Sequence, residues 1–313
     1  MKKAAKKSLS DFLTEFPNEN TCHKYFEAIR FRDGEYCAHG CGSTKIYRFN
    51  DGKRFRCAKC KKDFTLKTGT IFGESKVSLR KWFIAIYLLT TCKKGISSVE
   101  LSEKVGVCQK TGWFMDHRIR TAMQQGSNPF VGSIEADETY VGGKEKNKHA
   151  SKRTSGTKGR STKTKAPVFG MLERKQNEMP HSRVKATVVS DVRRKTLEPM
   201  IKNAVLEGSN LYTDKLLSYA KIGIVYTHET VNHGVGEYVR NDAHTNGIES
   251  FWAIFKRGYV GVYHQMSEKH LQRYVDEFAY RFNSRILGFD DLFADMVNRV
   301  SASENLSYKK LTR

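Results

Sequence analysis

The stretch SIEADETYVGG, residues 133–143, places the acidic residue Asp137 in an apolar, strand-like run that ends in two glycines. Two further acids stand in related settings, Asp214 at the end of SNLYTD and Glu249 within HTNGIESFWAIFKRG. Hard divalent ions such as magnesium prefer carboxylate oxygens as ligands. Displacement at a phosphodiester can use two such ions, one to activate the attacking oxygen and one to stabilise the leaving oxygen. The three acids together therefore indicate a two-metal phosphoryl-transfer site.

The segments around these acids predict a mixed α/β domain. After the first strand, residues 166–174 and 183–191 are apolar or alternating and are bounded by turn residues, as strands are. A helix-like stretch, the strand that ends at Asp214, a further strand and the helix of Glu249 follow. This is the element order of a ribonuclease-H-like fold with a mixed sheet. In that fold the acids come from the first strand, the end of the fourth strand and a later helix, which are the positions of Asp137, Asp214 and Glu249.

Two other acids of the first strand compete with Asp137. Strand alternation places Glu135 on the same face as Asp137 and Glu138 on the opposite face. Glu135 is therefore the stronger competitor by geometry.

The remaining two acids also have structural alternatives. Asp214 could begin the turn or helix that follows its strand, and Glu249, three residues after Asn246, could cap its own helix. Lys256 lies seven residues after Glu249 and shares a neighbouring face of that helix, so it could reach a phosphate beside the metals. Its alternative is a solvated surface lysine.

Four cysteines indicate a separate metal site near the N-terminus. Cys37 and Cys41 are followed, after a strand-like stretch, by Cys57 and Cys60. Two close cysteine pairs at this separation are typical of a zinc ribbon, in which each pair supplies two thiolates to a tetrahedral ion. The first pair has three intervening residues, so His39 could replace Cys37 as a ligand. Free, buried cysteines are the alternative.

A helical segment with a possible DNA-binding surface follows the ribbon. LRKWFIAIYLLTT after Ser78 is dense enough in apolar residues to be a buried helix. Ser97 and Glu100 form a capping-box pair, Gly106 marks a turn, and QKTGWFMDHRIRTAM forms a second helix. This arrangement favours a helix-turn-helix, whose second helix enters the major groove, although an ordinary helical hairpin is the alternative. The basic residues of this second helix are predicted to point outward. The DNA contacts predicted on it are Lys110, Thr111, His117, Arg118 and Arg120.

The net charge identifies the expected partner. A formal charge of +22 draws the protein to polyanions, and nucleic acid is the first candidate. An anionic membrane is the competing partner, but no apolar run approaches the roughly twenty residues that span a bilayer. The odd number of cysteines and the Lys-rich start without an apolar signal stretch predict reduced thiols and a cytoplasmic location.

A basic segment interrupts the large domain. Residues 144–165 are almost all Lys, Arg, Ser, Thr and Gly, and we expect a mobile loop whose cations, Lys144 among them, contact phosphates. A merely solvated linker is the alternative. The sequence has no Gly-rich nucleotide-binding loop, so no nucleotide cofactor is expected.

In combination these segments resemble the bacterial insertion-sequence transposases of the ISXO-like group, which join an N-terminal zinc ribbon to a DDE transposase domain. The resemblance runs from about Phe31 to Arg285. The segments that carry it are FRDGEYCAHGCGSTKIYRF, RCAKCKKDFTLKTGTIF, EADETYVGGK, LYTDKLLSY, HTNGIESFWAIFKRGYVGVYH and YVDEFAYRFNSR.

The resemblance implies roles for individual residues. The family's three acids match Asp137, Asp214 and Glu249, and its trailing lysine matches Lys256, with Arg257 beside it as a further DNA contact. The zinc ligands match Cys37, Cys41, Cys57 and Cys60. Because the family varies at the third acid, the resemblance also raises His244 and Asn246 as auxiliary ligands.

The same resemblance implies a mechanism and partners. Two magnesium or manganese ions would assist the hydrolysis of a phosphodiester at the transposon end. The freed 3′-hydroxyl would then attack target DNA. The implied DNA partners are the double-stranded terminal inverted repeats and the target DNA. The chain would also bind further copies of itself in a homodimer or larger synaptic assembly. The implied location is the bacterial cytoplasm, at the nucleoid when the protein is bound to DNA. A nuclease of the same fold without strand transfer, or a domesticated zinc-ribbon DNA-binding regulator, are the alternatives.

The predicted domain order has four parts. Residues 1–29 form an N-terminal helical segment, 30–72 the zinc ribbon, 73–128 the helix-turn-helix-like segment, and 129–313 the ribonuclease-H-like domain with its basic loop 144–165.

Overall fold

A computed structural model describes residues 7–143, 145–156, 161–176, 179–214, 225–231, 239–240 and 242–312. The chain divides into two compact units, Met1–Met123 with Ile286–Arg313, and Gln124–Arg285. The predicted last domain, 129–313, differs from this division at its end because the final helices belong to the first unit. Within the described ranges, no helix is both long and apolar enough to cross a membrane.

The secondary structure follows the chain in this order. The elements before residue 124 are α1 (Leu9–Glu15), α2 (Glu19–Arg30), β1 (Ile46–Arg48), β2 (Arg54–Cys57), β3 (Asp63–Thr65), α3 (Leu79–Thr91), α4 (Ser98–Val105) and α5 (Gln109–Ala122). The second unit contains β4 (Ser133–Val141), β5 (Ala166–Glu173), β6 (Arg183–Val188), α6 (Arg194–Ala204), β7 (Asn210–Asp214), β8 (Thr227–Val231), α7 (Asn246–Gly258) and α8 (Glu268–Asn283). The last two helices are α9 (Phe289–Ala302) and α10 (Tyr308–Thr312).

An aromatic core holds the first unit together. Phe83 of α3 lies 5.3 Å from Phe293 of α9 between ring centroids, and Phe16 lies within 5.5 Å of both rings. Burial of large apolar rings is the main source of stability in a core of this kind. This packing explains why helix α9, near the C-terminus, belongs to the same unit as the N-terminal part of the chain.

The predicted helix pair is present in the first unit. Gly106 ends α4 in a left-handed conformation, with φ 70° and ψ 54°, which glycine adopts without steric cost. A Cβ atom at Gly112 of α5 would lie only 2.9 Å from the Cβ of Ser102 in α4. The two helices therefore cross closely, as a helix-turn-helix requires.

The outward orientation predicted for three residues of α5 is wrong. His117, Arg118 and Arg120 are buried, at 0%, 3% and 1% exposure. The Arg118 guanidinium donates to the carbonyl oxygens of Ile71 (2.7 Å) and Leu306 (2.9 Å), so residues beside the ribbon and near the C-terminus cover this face. Sequence periodicity could not show this cover because its residues lie far away in the chain.

The first part of α5 remains accessible. Lys110 is exposed and Thr111 half-buried. The Lys110 ammonium lies 4.9 Å from the centroid of the Tyr308 ring in α10. These two residues keep an orientation that is compatible with their predicted role.

The second unit is built on a mixed five-stranded sheet in the order β6-β5-β4-β7-β8. β4, β5 and β6 pair antiparallel as the predicted meander, whereas β7 pairs parallel to both β4 and β8. This topology confirms the predicted ribonuclease-H-like mixed α/β class.

Helices cover both faces of this sheet, and β5 is buried along its whole length for that reason. Its alternate residues enter two separate cores. Val168 and Leu172 pack with Phe251 of α7 and Val275 of α8. On the other face Phe169 packs in a core with α6 and its neighbours.

Side-chain amides close the edge strand β6. Asn283 accepts from the Val184 N–H and donates to its carbonyl, at 2.7 and 2.9 Å. Gln125 makes the same pair of bonds to Ala186, both at 2.7 Å. Exposed strand edges invite pairing with other chains, and these amides occupy the groups that such pairing would use.

Candidate active site and metal centre

The four cysteines of the ribbon converge. The sulfur atoms of Cys37, Cys41, Cys57 and Cys60 all lie within 4.8 Å of one another. Sγ of Cys37 is 3.7 Å from Sγ of Cys60, and Sγ of Cys41 is 3.5 Å from Sγ of Cys57. Four thiols at these separations fit the tetrahedral thiolate set of a structural zinc ion.

The hydrogen bonds around Cys57 favour its thiolate form, whereas burial raises the pKa of Cys37 to about 12 as long as no cation is bound. Burial opposes ionisation of the Cys57 thiol too, but the backbone N–H groups of Cys60 and Lys59 donate to its sulfur at 3.4 and 3.3 Å. Together with the neighbouring thiols, these bonds lower the pKa of Cys57 to about 6. Hydrogen bonds from a tight turn are a general means of stabilising such a ligand.

The alternative ligand His39 lies elsewhere. Its Nε2 atom is 3.1 Å from the carbonyl oxygen of Asp63, and it is absent from the cysteine cluster. The structure thus gathers Cys37, and not His39, with the other three cysteines.

In the second unit the three predicted acids line one cleft of about 830 Å³. Asp137 lies in β4, Asp214 is the last residue of β7, and Glu249 lies in the first turn of α7. The cleft opens beside β4 because β7 pairs with it only from Ser133 to Ala136. The fold thus brings together three residues that are far apart in the sequence.

Electrostatics show that these acids influence one another. Burial first, then the charge of Glu138, and then those of Glu249 and Asp214 raise the pKa of Asp137 to about 7. Glu138, which alternation placed on the other face of β4, also lines the cleft. Like charges gathered in one cleft are unfavourable without a cation.

The spacing of the acids differs from that of the cysteines. Among the described residues, the four cysteines are the only group of three or more potential ligands within 4.8 Å of one another. The three acids are therefore more widely separated. An open cleft lined by carboxylates has the donor chemistry that magnesium or manganese prefers.

Glu135, the competitor of Asp137, has a different position. It shares the face of Asp137, as alternation predicted, but it is 1% exposed and does not line the cleft. Its carboxylate accepts hydrogen bonds from Nε of Arg174 at 2.7 Å and from the backbone N–H of Ile248 at 2.9 Å. Glu135 therefore holds the N-terminus of α7 against β4. The residue that it binds in α7, Ile248, directly precedes Glu249.

Arg174 extends this support to the segment before α7. It donates to the carbonyl oxygens of Asp242 and His244, both at 2.7 Å. Nδ1 of His244 lies 3.3 Å from the Glu135 carboxylate. Neither His244 nor Asn246 lines the cleft, and their auxiliary role stays a prediction.

The capping alternative for Glu249 does not match the observed helix start. The residue that precedes α7 is Thr245, not Asn246, and its hydroxyl donates to Oε1 of Glu249 at 2.9 Å. The Glu249 carboxylate thus accepts a hydrogen bond from the Thr245 hydroxyl, which helps to orient the carboxylate toward the cleft.

Basic residues also reach the cleft. Lys256 is exposed and lines it, whereas its exposed neighbour Arg257 does not. Lys165, at the end of the basic loop, lines the opening as well. Lys144, also a predicted DNA contact, lies outside the described residues, as do residues 157–160 of the loop.

Three other residues on the cleft wall received no individual role from the sequence. These are Asn147, Tyr259 and His264. Tyr259 begins a π-helical turn, Tyr259–Tyr263, that prolongs α7 and ends before His264. Tyr259 and His264 lie within the segment that carries the family resemblance, but the helical periodicity stops at this turn and therefore assigned them no role.

Comparisons with known proteins agree with this architecture. The model of the ISXO2-like transposase domain matches residues 129–283, and that of a transposase zinc-ribbon domain matches residues 17–63. An uncharacterized protein in the transposable element ISH50 of Halobacterium salinarum is 30% identical over 277 residues, covering 85% of this chain and 91% of its own. An uncharacterized transposase-like protein of Haemophilus influenzae is 31% identical over 103 residues, which is 33% of this chain and 82% of its own.

Proposed function

Since this chain belongs to the ISXO2-like family of insertion-sequence transposases, we propose that it binds the ends of an insertion sequence and catalyses metal-dependent strand cleavage and strand transfer into target DNA. The observation that carries the proposal is the convergence of Asp137, Asp214 and Glu249 on one cleft from three different elements.

The proposed metals are two magnesium or manganese ions held by these three carboxylates. When bound, such ions activate an attacking oxygen and stabilise a leaving oxygen at a phosphodiester. Burial and the charges of Glu138, Glu249 and Asp214 raise the pKa of Asp137, and a bound divalent cation would offset both effects, which supports this role. Lys256 extends from the same helix as Glu249 and would bind a phosphate oxygen beside them.

The proposed reaction has two steps that need no nucleotide. In the first, a water oxygen bonds to phosphorus at the transposon end and the bond to the 3′-oxygen breaks, which leaves a 3′-hydroxyl. In the second, that 3′-oxygen bonds to a phosphorus of target DNA as a target P–O bond breaks. One P–O bond forms and one breaks in each step, so positioning and charge stabilisation suffice.

DNA binding is assigned to surfaces outside the cleft. We propose that the zinc-supported ribbon and the α4–α5 pair bind the terminal repeats, with Lys110 and Thr111 at the accessible start of α5. The basic loop and Arg257 would add contacts to phosphates that depend on salt. Because two transposon ends must be joined, we propose that the chain acts as a homodimer or larger assembly. It would do so in the cytoplasm, at the nucleoid.

A strand-transfer assay tests the proposal. Labelled double-stranded transposon ends are incubated with supercoiled target DNA and Mn²⁺, and both cleaved and joined products are measured. The variants Asp137→Asn, Asp214→Asn and Glu249→Gln are expected to lose both products. Glu229→Gln is the matched control, because Glu229 is exposed on the edge strand β8. Full activity in any cleft variant would remove that residue from the metal site.

The same assay, together with a DNA-binding measurement, separates the two alternatives. Metal-dependent cleavage without products joined to target DNA would identify a nuclease of this fold. Sequence-specific DNA binding without cleavage, unaffected by Asp214→Asn, would identify a DNA-binding regulator.

A further inference from the structure

His264 lines the acidic cleft in a backbone conformation that few non-glycine residues adopt. Its φ is 54° and its ψ is −39°. The N–H of Gln265 donates to the carbonyl of Tyr263 at 2.5 Å, which closes a three-residue turn around His264. A γ-turn with a positive central φ is rare and strained. Among the described residues of the second unit, His264 is the only non-glycine residue with a positive φ.

Contacts on both sides hold the turn in place. The Tyr263 hydroxyl donates to Oε1 of the buried Glu277 at 2.6 Å, and its ring lies 4.9 Å from that of Tyr274. Two residues after His264, Met266 is buried in the core that α7 and α8 form. Strained residues persist where the surrounding structure fixes them in this way.

The helix that leads to His264 also departs from regular geometry. α7 carries Glu249 and Lys256 and then continues as the π-helical turn Tyr259–Tyr263. Short π-helical turns occur frequently at functional sites. The irregular turn redirects the chain, so that it passes along the cleft instead of continuing the helix.

The side chain of residue 264 is not required by the turn. A glycine would adopt this φ at lower cost, so the strain accompanies a side chain that the turn itself does not need. An imidazole has an N–H donor in either neutral tautomer. The cleft carries four carboxylates, those of Asp137, Glu138, Asp214 and Glu249, together with the lysines Lys165 and Lys256, and the imidazole adds a further hydrogen-bond donor for an anionic substrate.

We propose that His264 contacts the DNA strand in the cleft, donating from its imidazole N–H to a phosphate oxygen next to the scissile bond. The inference rests on the proposed function and adds a substrate-positioning group to it. The turn would hold the phosphodiester at a fixed place relative to Asp137, Asp214 and Glu249.

The test uses His264→Gly, His264→Ala and His264→Asn in the full chain. His264→Gly relieves the strain and removes the imidazole, so its thermal midpoint should equal or exceed that of the wild type. Its kcat/KM for cleavage of a DNA end should nevertheless fall about tenfold or more, the effect of one lost hydrogen bond to a charged group. His264→Asn should keep part of the activity, because Asn tolerates positive φ and can donate.

A second strained residue supplies the control. Glu74 has φ 58°, is exposed and lies in the first unit, so Glu74→Gly should relieve strain without changing cleavage. Wild-type kcat and KM in His264→Gly would overturn the inference. If Asp214→Asn is inactive while His264→Gly is fully active, only the inference about His264 fails. If Asp214→Asn retains activity, the proposed function fails first.

Discussion

Gly170 of β5 stands directly opposite Asp137 of β4 in the antiparallel ladder. A Cβ atom at Gly170 would lie 2.5 Å from Cζ2 of Trp252 and 3.1 Å from Cδ1 of Ile248, both in α7. Side chains of directly opposed residues lie on one face of a sheet. The missing side chain therefore lets α7, which carries Glu249, lie close to the sheet beside Asp137.

Gly170→Ala is expected to disturb the acidic cleft although it replaces none of the acidic residues. The added methyl group must displace the Trp252 ring, at a cost of about 1–3 kcal/mol for overpacking. Because α7 would shift with the ring, the affinity for Mn²⁺ measured by calorimetry should fall. Gly126→Ala is the control, since a Cβ atom there meets nothing within 4 Å. Unchanged Mn²⁺ affinity in Gly170→Ala would show that α7 tolerates the methyl group.

Glu135 and Asp137 can be separated by matched substitutions. Glu135→Ala leaves the Arg174 guanidinium and the Ile248 N–H without their shared acceptor, which should destabilise the protein by about 3–5 kcal/mol. Glu135→Gln keeps an acceptor and should fold with less loss, while still binding Mn²⁺ at the cleft. Asp137→Asn should show the reverse pattern, with near-normal folding and weakened Mn²⁺ binding. Equal loss of Mn²⁺ binding in Glu135→Gln and Asp137→Asn would place Glu135 among the ligands.

Local sequence patterns were sufficient for much of this architecture. The alternation of the strands predicted the sheet, and cysteine spacing predicted the metal cluster, because both depend on neighbouring residues. Long-range packing decided the rest. The burial of Arg118 depends on Leu306, far along the chain, and the different positions of Glu135 and Asp137 depend on the contacts that Glu135 makes with Arg174 and Ile248.

The raised pKa of Asp137 predicts a dependence of stability on pH. In the folded protein this pKa is about 7, above the ordinary value of 3.8. The folded state therefore binds the proton more tightly, and stability falls as pH rises from 3.8 to about 7. Asp137→Asn should remove part of this decline in thermal midpoint, measured in buffer free of Mg²⁺ and Mn²⁺. Added Mn²⁺ should stabilise the wild type more at pH 8 than at pH 5, and equal stabilisation at both would contradict the assignment.

Cys37 and His39, the two candidate zinc ligands near the start of the ribbon, can be distinguished by substitution. Because Cys37 lies in the sulfur cluster and His39 contacts a backbone carbonyl, Cys37→Ser should lose bound zinc, whereas His39→Asn should retain it. Zinc content is measured by mass spectrometry on purified full-length protein, and thermal unfolding is followed in parallel. A thiolate zinc site contributes directly to folding, so Cys37→Ser should also lower the unfolding midpoint of the first unit. Loss of zinc in His39→Asn with retention in Cys37→Ser would reverse the assignment, and it would require the ribbon to bind zinc with a mixed set of three sulfurs and one nitrogen.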